Sequence, residues 1–250
     1  MALPGAEVFE RAGLRAWPGI EVEHDGHWVR RAANGYTKRA NSVQPLDPAD
    51  VADAPARIAA ARTWFERRGL RSAFRITPLA GGAVVDALDA AGWVAIDHSQ
   101  LWAMDLGSTA PDPRGELLAP DDRRFLDAQQ RLQDYSDVQR HGLAALLAAL
   151  DVPAAGIVLA GADGAPAASG LVAIADGIAV AGNVVTDRAQ RRQGLAAAMM
   201  RSGLDWAYRQ GARIAALNVM AGNDAALALY RGLGFRPQYD YCYRVPGDEC

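Results

Sequence analysis

The sequence has little cysteine and no strong excess of charge of either sign. Its 250 residues include two cysteines, Cys242 and Cys250, and carry a formal net charge of −3. Two cysteines near the C-terminus make no disulfide framework, and no Cys/His cluster has the spacing of a zinc site, so we expect no metal. The weak negative charge argues against a nucleic-acid partner or a membrane surface and leaves room only for a local basic patch.

Long apolar runs are also missing. The stretch GLAALLAAL at 142–150 is too short to span a bilayer. The first residues, MALPGAEVFERAG, contain no basic segment followed by an apolar core, so no signal peptide is expected. Hydrophobic residues make up 50 % and charged residues 22 % of the chain, which is ordinary for a globular protein. We therefore expect a cytoplasmic enzyme or binding protein without membrane contact.

Two common phosphate-binding motifs are absent as well. The chain has no G-x-x-x-x-G-K-[ST] sequence, which excludes a P-loop. It also has no G-x-G-x-x-G motif followed by an acidic residue at the distance typical of a Rossmann site. A phosphate site in this protein must therefore be built in another way.

Proline and glycine divide the chain into two halves. The segment STAPDPRG at 108–115 is the best linker candidate, so we expect domains at 1–107 and 116–250. The second half is predicted to begin with a helical segment at about 121–150 that bends near 132–142, followed by three strands with Asp-Gly turns within 157–187. A helix that ends at Gly211 and a strand at 212–220 come next. The half ends with a helix after Asn223 and a strand at 239–245.

The first half shows a similar order of elements. We predict a hairpin at 27–43, a helix at 54–69, a strand at 70–79, a helix at 84–93 and one or two strands at 94–106. In both halves a strand precedes an amphipathic helix, then a glycine, an aromatic residue and another strand, as in DALDAAGW at 86–93 and ALYRGLGF at 228–235. This similarity indicates two copies of one α/β unit, the alternative being a chance likeness of two strand–helix–strand segments.

The segment RRQGLA at 191–196 follows a predicted strand and begins a predicted helix. The N–H groups of a first helical turn have no partners within the helix, and the helix dipole is positive there. A glycine in that turn lets an anion approach the backbone, while arginines add charge and fork-shaped donors. The arrangement suits a pyrophosphate. An ordinary helix start with surface arginines is the alternative.

Two motifs of the second half resemble the signatures of the GCN5-related N-acetyltransferases (GNAT). The first, (Arg/Gln)-x-x-Gly-x-(Gly/Ala), is matched by Arg191, Arg192, Gln193, Gly194, Leu195 and Ala196. The second, Asn-x-x-Ala-x-x-Leu-Tyr-x-x-x-Gly-Phe, is matched by residues 223–235. The motifs occur in the order typical of the family with a strand between them, and the resemblance covers about 155–245.

The resemblance implies the GNAT fold, an α/β (α+β) architecture with a mixed, mostly antiparallel central sheet flanked by helices. Residues 116–250 would form the catalytic unit. Residues 1–107, which have no equivalent of RRQGLA, would form a degenerate unit in a tandem arrangement. Four polar residues within or just before its stretch GYTKRANSV at 35–43 are candidates for facing either the acceptor or the other half. They are Arg31, Lys38, Arg39 and Asn41. A polar hairpin at the domain interface is the alternative.

The resemblance also implies acetyl-CoA as the cosubstrate. The backbone amides of 191–196 would hold the pyrophosphate, and the main chain of Val184, Val185 and Thr186 would pair with the pantetheine arm. Asn223 and Ala226 would lie near the pantetheine, and Tyr230 near the thioester sulfur.

Acyl-transfer chemistry independently favours Tyr230 as a general acid. When an amine attacks the thioester it expels a thiolate, and a phenol with a pKa of about 10 can donate to a sulfur whose thiol has a pKa of about 8.5. The alternative is an aromatic side chain packed on a helix face. The sequence does not identify the general base, because the strand at 182–186 has no carboxylate. A water molecule that relays the proton through the backbone or Asn183 is a candidate. Asp134 and Tyr241 are further candidates for contacting the acceptor.

We therefore expect an acetyl-CoA-dependent N-acetyltransferase that acts on the primary amine of a small molecule. A protein lysine or N-terminal acetyltransferase is one alternative. A non-catalytic module that senses acyl-CoA is another. Because a tandem arrangement supplies its own second unit, a monomer is favoured over a homodimer.

Overall fold

Eleven strands form one continuous sheet in the computed structural model, which describes residues 2–249. The helices are α1 (Ala6–Ala16), α2 (Ala54–Glu66), α3 (Gly82–Ala90), α4 (Arg123–Gln133), α5 (Asp137–Ala148), α6 (Leu195–Arg209) and α7 (Asp224–Leu233). The strands are β1 (Glu21–Asp25), β2 (Trp28–Ala32), β3 (Ser42–Pro45), β4 (Phe74–Ile76), β5 (Trp93–Asp105), β6 (Gly115–Leu118), β7 (Ala154–Ala160), β8 (Pro166–Ala175), β9 (Ile178–Thr186), β10 (Ile214–Met220) and β11 (Arg236–Pro246).

The strands follow the order β1-β2-β3-β4-β11-β5-β10-β9-β8-β7-β6 across the sheet. The pairs β3–β4 and β9–β10 are parallel, and the other pairs are antiparallel. The predicted mixed and mostly antiparallel sheet is thereby confirmed. The predicted bend in the helical segment falls between α4 and α5, where Ser136 and Gln139 form a capping box that starts α5. The sequence patterns gave no prediction for α1, β1 or β6.

The order strand, helix, parallel strand, helix, strand occurs twice, as β3-α2-β4-α3-β5 and as β9-α6-β10-α7-β11. Gly92 after α3 and Gly234 after α7 both have positive φ, of 75° and 101°. Only glycine adopts this backbone at little cost, which explains its position at the end of each helix. The aromatic residue that follows is buried in both cases, Trp93 at 4 % and Phe235 at 1 % exposure. These matches support the internal repeat.

The last strands of the two repeats are exchanged. β11, from the end of the chain, lies between β4 and β5 of the first half, and β5 pairs with β10 of the second half. The segment at 106–114 has no helix or strand and connects β5 near the middle of the sheet to β6 at its edge. A division at 108–115 remains a proposal, and with this topology each half depends on a strand of the other.

A buried ion pair joins α1 to the sheet where the halves meet. Arg75 of β4 binds both carboxylate oxygens of Glu10, at 3.0 and 2.9 Å, and the two side chains are 2 % and 4 % exposed. Gln44 and Tyr239 also donate to Glu10, at 2.6 and 2.7 Å. Burial raises the pKa of Glu10, but the charge and hydrogen bonds of Arg75 and the bond from Tyr239 outweigh it and leave the pKa below its usual value. The carboxylate therefore stays ionised and holds elements of both halves.

One apolar cluster lies within the first half and another lies mostly within the second, while further clusters contain side chains of both halves. Trp28, Phe74 and Trp93 pack edge to face in the first half, with ring centroids 5.6 and 5.2 Å apart. In the second half the apolar face of α6 covers the sheet with Leu195 and Met199. Each such large side chain contributes about 1.5–3 kcal/mol when fully buried. No helix within residues 2–249 has the length and apolar character needed to cross a membrane.

Candidate active site

The sheet opens between its two parallel strands β9 and β10. The two strands pair with each other from Ile178 and Ile214 as far as Ala181 and Leu217. Beyond these residues β9 continues to Thr186 and β10 to Met220, but the two strands no longer pair with each other. The cause lies in β9, where Asn183 has a φ of 51° and the register with β8 shifts at this point. Such a bulge bends its strand and turns it away from a neighbour. A cleft of about 680 Å³ results between the separated strands.

One end of the cleft is formed by the start of α6. Gly194 has a φ of 75°, and the first hydrogen bond into the helix runs from the Ala198 N–H to the Gly194 carbonyl at 3.0 Å. The N–H groups of 194–197 find no acceptor within the described part of the chain. Arg191 and Arg192 line the cleft beside them. Free amides at a helix start together with two guanidinium groups form a site suited to an anion.

Helix α7 contributes another wall of the cleft. Asn223 caps this helix, because its Oδ1 accepts a hydrogen bond of 3.1 Å from the Ala226 N–H. Tyr230 lies one to two turns further along, 7 % exposed, with its ring centroid 6.0 Å from that of Phe235. Burial raises the pKa of Tyr230 to about 12, and the positive charge of Arg39 opposes this only in part. The phenol is therefore protonated at neutral pH and able to donate.

A second cavity of about 230 Å³ joins the cleft where the strands separate. Five residues line both spaces: Arg39, Asn183, Asn218, Val219 and Met220. The first half of the chain and β11 complete the second cavity with residues that include Trp17, Asp97, Ser99, Tyr241 and Tyr243. A molecule in this cavity would therefore reach the cleft at the point of strand separation. We refer to it below as the side cavity.

The structure brings most of the predicted site residues together. Those that line the cleft are Asn183, Val184, Val185, Thr186, Arg191, Arg192, Gly194, Leu195, Ala196, Asn223, Ala226 and Tyr230. Tyr241 lines the side cavity, under the Arg75 guanidinium at 3.6 Å from its ring centroid. Gln193 is exposed and does not line the cleft. Asp134 is exposed at the end of α4 and lines neither space.

Several residues of the site were not among those predicted from the sequence. Gln133, Asn218 and Leu229 line the cleft, and Asp97 lines the side cavity. The α7 motif would have placed Leu229 there, since it precedes Tyr230. Nothing local marks the others, because they reach the site through the packing of distant segments.

Acidic groups are scarce at the site. Within residues 2–249, no Asp, Glu or His side chain lines the cleft. Asp97 in the side cavity pairs with Lys38 at 2.8 Å. No three His, Cys, Asp or Glu side chains of the described residues gather as a metal ion would require. The arrangement supplies a buried proton donor, Tyr230, without a carboxylate base beside it.

Comparison with known families identifies the chain. Residues 7–244 match the family described as "probable histone acetyltransferase Rv0428c C-terminal". The chain belongs to this family. A relative from Bacillus subtilis (strain 168), described as the uncharacterized N-acetyltransferase YobR, is 26 % identical over 242 residues, which cover 94 % of this chain and 96 % of the relative. The protein is therefore an acetyltransferase, which agrees with the resemblance of its two motifs to the GNAT signatures.

Solved structures share the fold of this acetyltransferase. A GCN5-related N-acetyltransferase from Kribbella flavida matches with a TM-score of 0.72 at 20 % identity, covering 98 % of this chain and 97 % of the other. A tandem GNAT protein from the clavulanic acid biosynthesis pathway matches with a TM-score of 0.63 at 17 % identity, covering 81 % and 74 % of the two chains. At these identities the likeness concerns the fold alone. It extends across both halves of the acetyltransferase.

Proposed function

We propose that this acetyltransferase transfers an acetyl group from acetyl-CoA to the primary amine of a small molecule. The observation that carries the proposal is the cleft between β9 and β10, which ends at the free amides of α6. An elongated donor with an anionic group near one end and a flexible arm suits such a cleft. The anionic group would meet the free amides of α6, and the arm would lie along the unpaired side of β9.

The residues of the cleft fit acetyl-CoA in two places. The free N–H groups at 194–197, with Arg191 and Arg192, would hold the pyrophosphate. Beyond Ala181, the side of β9 that faces β10 has no strand partner, so its backbone groups at 184–186 are available to the amides of the pantetheine arm. When bound there, acetyl-CoA supplies the activated acyl carbon.

Tyr230 would act as the general acid of the transfer. The lone pair of the neutral amine forms a C–N bond to the acyl carbon, and the C–S bond breaks. The Tyr230 hydroxyl donates its proton to the departing sulfur, and the proton that the amine loses returns through water to the tyrosine. Burial in the cleft raises the pKa of Tyr230. The same loss of solvent would raise the pKa of the CoA thiol there, so the proton affinities of donor and acceptor rise together.

A small acceptor is favoured over a protein. The side cavity of about 230 Å³ meets the cleft at the strand separation and is partly walled by the first half of the chain. The family description names a histone acetyltransferase, which raises a lysine-rich peptide as a second candidate. Arg39 places a positive charge at that junction with no carboxylate of residues 2–249 paired to it, and such a charge repels a basic peptide.

We also propose that the protein acts as a cytoplasmic monomer. The exchange of β5 and β11 already completes one sheet from the two halves of a single chain. A second copy is therefore not needed to build the cleft.

The proposal is tested by titrating the protein calorimetrically with acetyl-CoA and by measuring free-thiol release over a panel of amines. The panel contains amino acids, amino sugars and polyamines, with histone-tail peptides as the protein arm. We expect acetyl-CoA binding and thiol release with a small amine. Binding with release only for peptides would favour the second candidate. Binding without release from any amine would favour a sensor, and no binding would contradict the proposed function.

A further inference from the structure

We propose that the acceptor amine carries a carboxylate and that Arg39 binds this carboxylate. The inference rests on the proposed function, since it names the acceptor class of the same site. Arg39 comes from the first half of the chain, in the loop between β2 and β3, yet lines both the cleft and the side cavity. The first half would thus supply acceptor recognition to the catalytic second half.

Arg39 lacks the partners that neighbouring arginines have. Within residues 2–249, no carboxylate lies at ion-pair distance from its guanidinium. Its Nε is buried without a hydrogen-bond partner, which is also true of the Nε atoms of Arg30 and Arg31, so the missing carboxylate is what distinguishes Arg39. By contrast, Arg30, Arg57 and Arg75 of the same half each pair with a carboxylate, and Arg31 donates to two backbone carbonyls. A partly buried cation without an anion is costly unless a ligand supplies the missing charge.

The loop that carries Arg39 is held rigidly. The Oδ1 of Asn41 accepts hydrogen bonds from the N–H groups of Ala33 and Gly35, at 2.8 and 3.1 Å. The Nδ2 of Asn41 donates to the carbonyls of Tyr36 and Thr37, at 2.9 and 2.8 Å.

Arg31 adds a second anchor to this loop. Its guanidinium donates to the carbonyl of Arg39 and, at 2.8 Å, to that of Trp17. The Arg39 guanidinium itself lies 5.8 Å from the ring centroid of Trp17. Such support fixes a binding group before the ligand arrives, which lowers the entropic cost of binding.

The position of Arg39 matches an acceptor and not the donor phosphates. Its Nη1 lies 3.8 Å from the point where a Cβ on Gly182 would stand. Gly182 lies in the middle of β9 and is the first residue beyond the last β9–β10 pair, whereas the anion site of α6 comes after Thr186, the last residue of the strand. Arg39 therefore stands at the point of strand separation, where the lining of the side cavity and that of the cleft overlap, and not at the end of β9 that leads to α6.

A carboxylate fits the surroundings better than a phosphate. The guanidinium fork matches the two oxygens of a carboxylate. The remaining cation in the side cavity, Lys38, is already paired with Asp97 at 2.8 Å. A doubly charged phosphate would meet one free guanidinium and the nearby Asp97 carboxylate, so its second charge would find no partner. An amine with a single carboxylate satisfies Arg39 and directs its amino group towards the cleft.

The test compares acids with their neutral analogues. Purified protein is assayed with α-amino acids, ω-amino acids and dipeptides, each paired with its carboxamide, and with Arg39→Gln, Arg39→Lys and Arg67→Gln variants. Arg67 is an exposed arginine at the end of α2 and matches the charge change of Arg39→Gln without touching either cavity. Calorimetric titration with CoA verifies that each variant is folded and binds the donor.

We expect the wild type to prefer the acids. Arg39→Gln should lower kcat/KM for the preferred acid by about 10- to 100-fold, mainly through KM, as expected for a lost charge-assisted hydrogen bond. Its kcat/KM for the matching carboxamide should change little. Arg39→Lys should fall between the two, because it keeps the charge but loses the fork. Arg67→Gln should behave as the wild type.

Three outcomes would overturn the inference while leaving the proposed function intact. The wild type could acetylate carboxamides as well as acids. It could acetylate only amines without a carboxylate. Arg39→Gln could lower the rates for acids and carboxamides equally, which would place Arg39 at the thioester. Failure of the wild type to bind acetyl-CoA would instead contradict the proposed function itself.

Discussion

Ala181 of β9 and Leu217 of β10 are the last residues that these parallel strands pair with each other. Their successors, Gly182 and Asn218, line the cleft from its two sides. Beyond this point the facing backbone groups have no partner strand, so they bond to water or to a ligand. The proposed donor site depends on this separation.

Replacing Gly194 by valine should weaken CoA binding by more than about tenfold, the effect of losing about 1.4 kcal/mol of contacts. A Cβ at Gly194 meets nothing within 4 Å, so the side chain would project into open space at the cleft beside the free amides. Calorimetric titration with CoA measures the change. Gly177→Val is the matched control, because Gly177 has a φ of 76° and an equally open Cβ but lies in the turn between β8 and β9. Equal CoA affinity in the two variants would contradict the anion site.

Replacing Tyr230 by phenylalanine should lower kcat by about a hundredfold or more while leaving CoA affinity within about twofold. Phenylalanine keeps the ring packing on Phe235 but removes the proton donor. Steady-state thiol release and calorimetry give the two quantities. Tyr208→Phe, on α6 under the Arg213 guanidinium, removes a hydroxyl outside the cleft and should retain activity. An unchanged kcat in Tyr230→Phe would remove the acid role.

The rising limb of the pH–rate profile should follow the pKa of the acceptor. No carboxylate or imidazole of the described residues lines the cleft, so only the neutral fraction of the amine reacts. Acceptors with amine pKa values of about 8 and about 10.4 should give kcat/KM limbs about two pH units apart. Tyr230 must be protonated to act, and its pKa of about 12 predicts no falling limb from this group up to pH 10.

A single limb at the same pH for both acceptors would contradict this account. It would indicate a base that belongs to the protein, and Asp97 in the side cavity would be the first carboxylate to replace.

Replacing Glu10 by glutamine should lower the free energy of unfolding by about 3–5 kcal/mol, because it leaves Arg75 buried without its counter-charge. Urea unfolding at pH 7 measures the loss. Glu7→Gln in the same helix is the control, since the Glu7–Arg11 pair is about 58 % exposed and contributes about 1 kcal/mol or less. Comparable losses in both variants would show that the buried pair does not hold the halves.

The effect of Glu10→Gln should depend on pH in a defined direction. The pKa of Glu10 is below its usual 4.5 in the folded protein, so its contribution is fully present above pH 4.5. That contribution is lost as the pH falls through the folded-state pKa. The difference between wild type and variant should therefore shrink in acid. A difference that grows as the pH falls would contradict the ionised state of Glu10.

Separate fragments 1–107 and 116–250 should not fold alone. Without β11, β4 and β5 lose their shared neighbour, and without β5, β10 is left unpaired on one side. Far-ultraviolet circular dichroism and size-exclusion chromatography of each fragment, alone and coexpressed, test this. We expect a folded species only from coexpression. Cooperative unfolding of 116–250 alone would show that the second half is self-sufficient.

The elements of the second half were predictable because their signals are local. The glycine in RRQGLA, the capping residue Asn223 and the glycine stop at Gly234 each act within one turn of a helix. Local backbone rules therefore fixed α6 and α7 and placed their motifs next to β9 and β10. The same residues that begin and end these helices also made the order of the elements predictable.

The exchange of β5 and β11 could not be predicted from any short segment of the sequence. It depends on which distant strands pair, and periodicity is the same for either pairing. The role of Arg39 was open for the same reason, since its loop reaches the cleft only through the packing of the two halves. The position of Asp134 in the chain suggests a contact with the acceptor, but the structure leaves its side chain exposed at the end of α4.

Amide hydrogen–deuterium exchange with and without CoA tests the central claim most directly. The free N–H groups at 194–197 and the unpaired side of β9 should exchange readily in the free protein. We predict that CoA slows exchange in peptides that cover 182–186 and 191–197, and leaves the turn at Gly177 unchanged. CoA binding that protects other segments and spares these two would contradict the assignment of the cleft as the donor site.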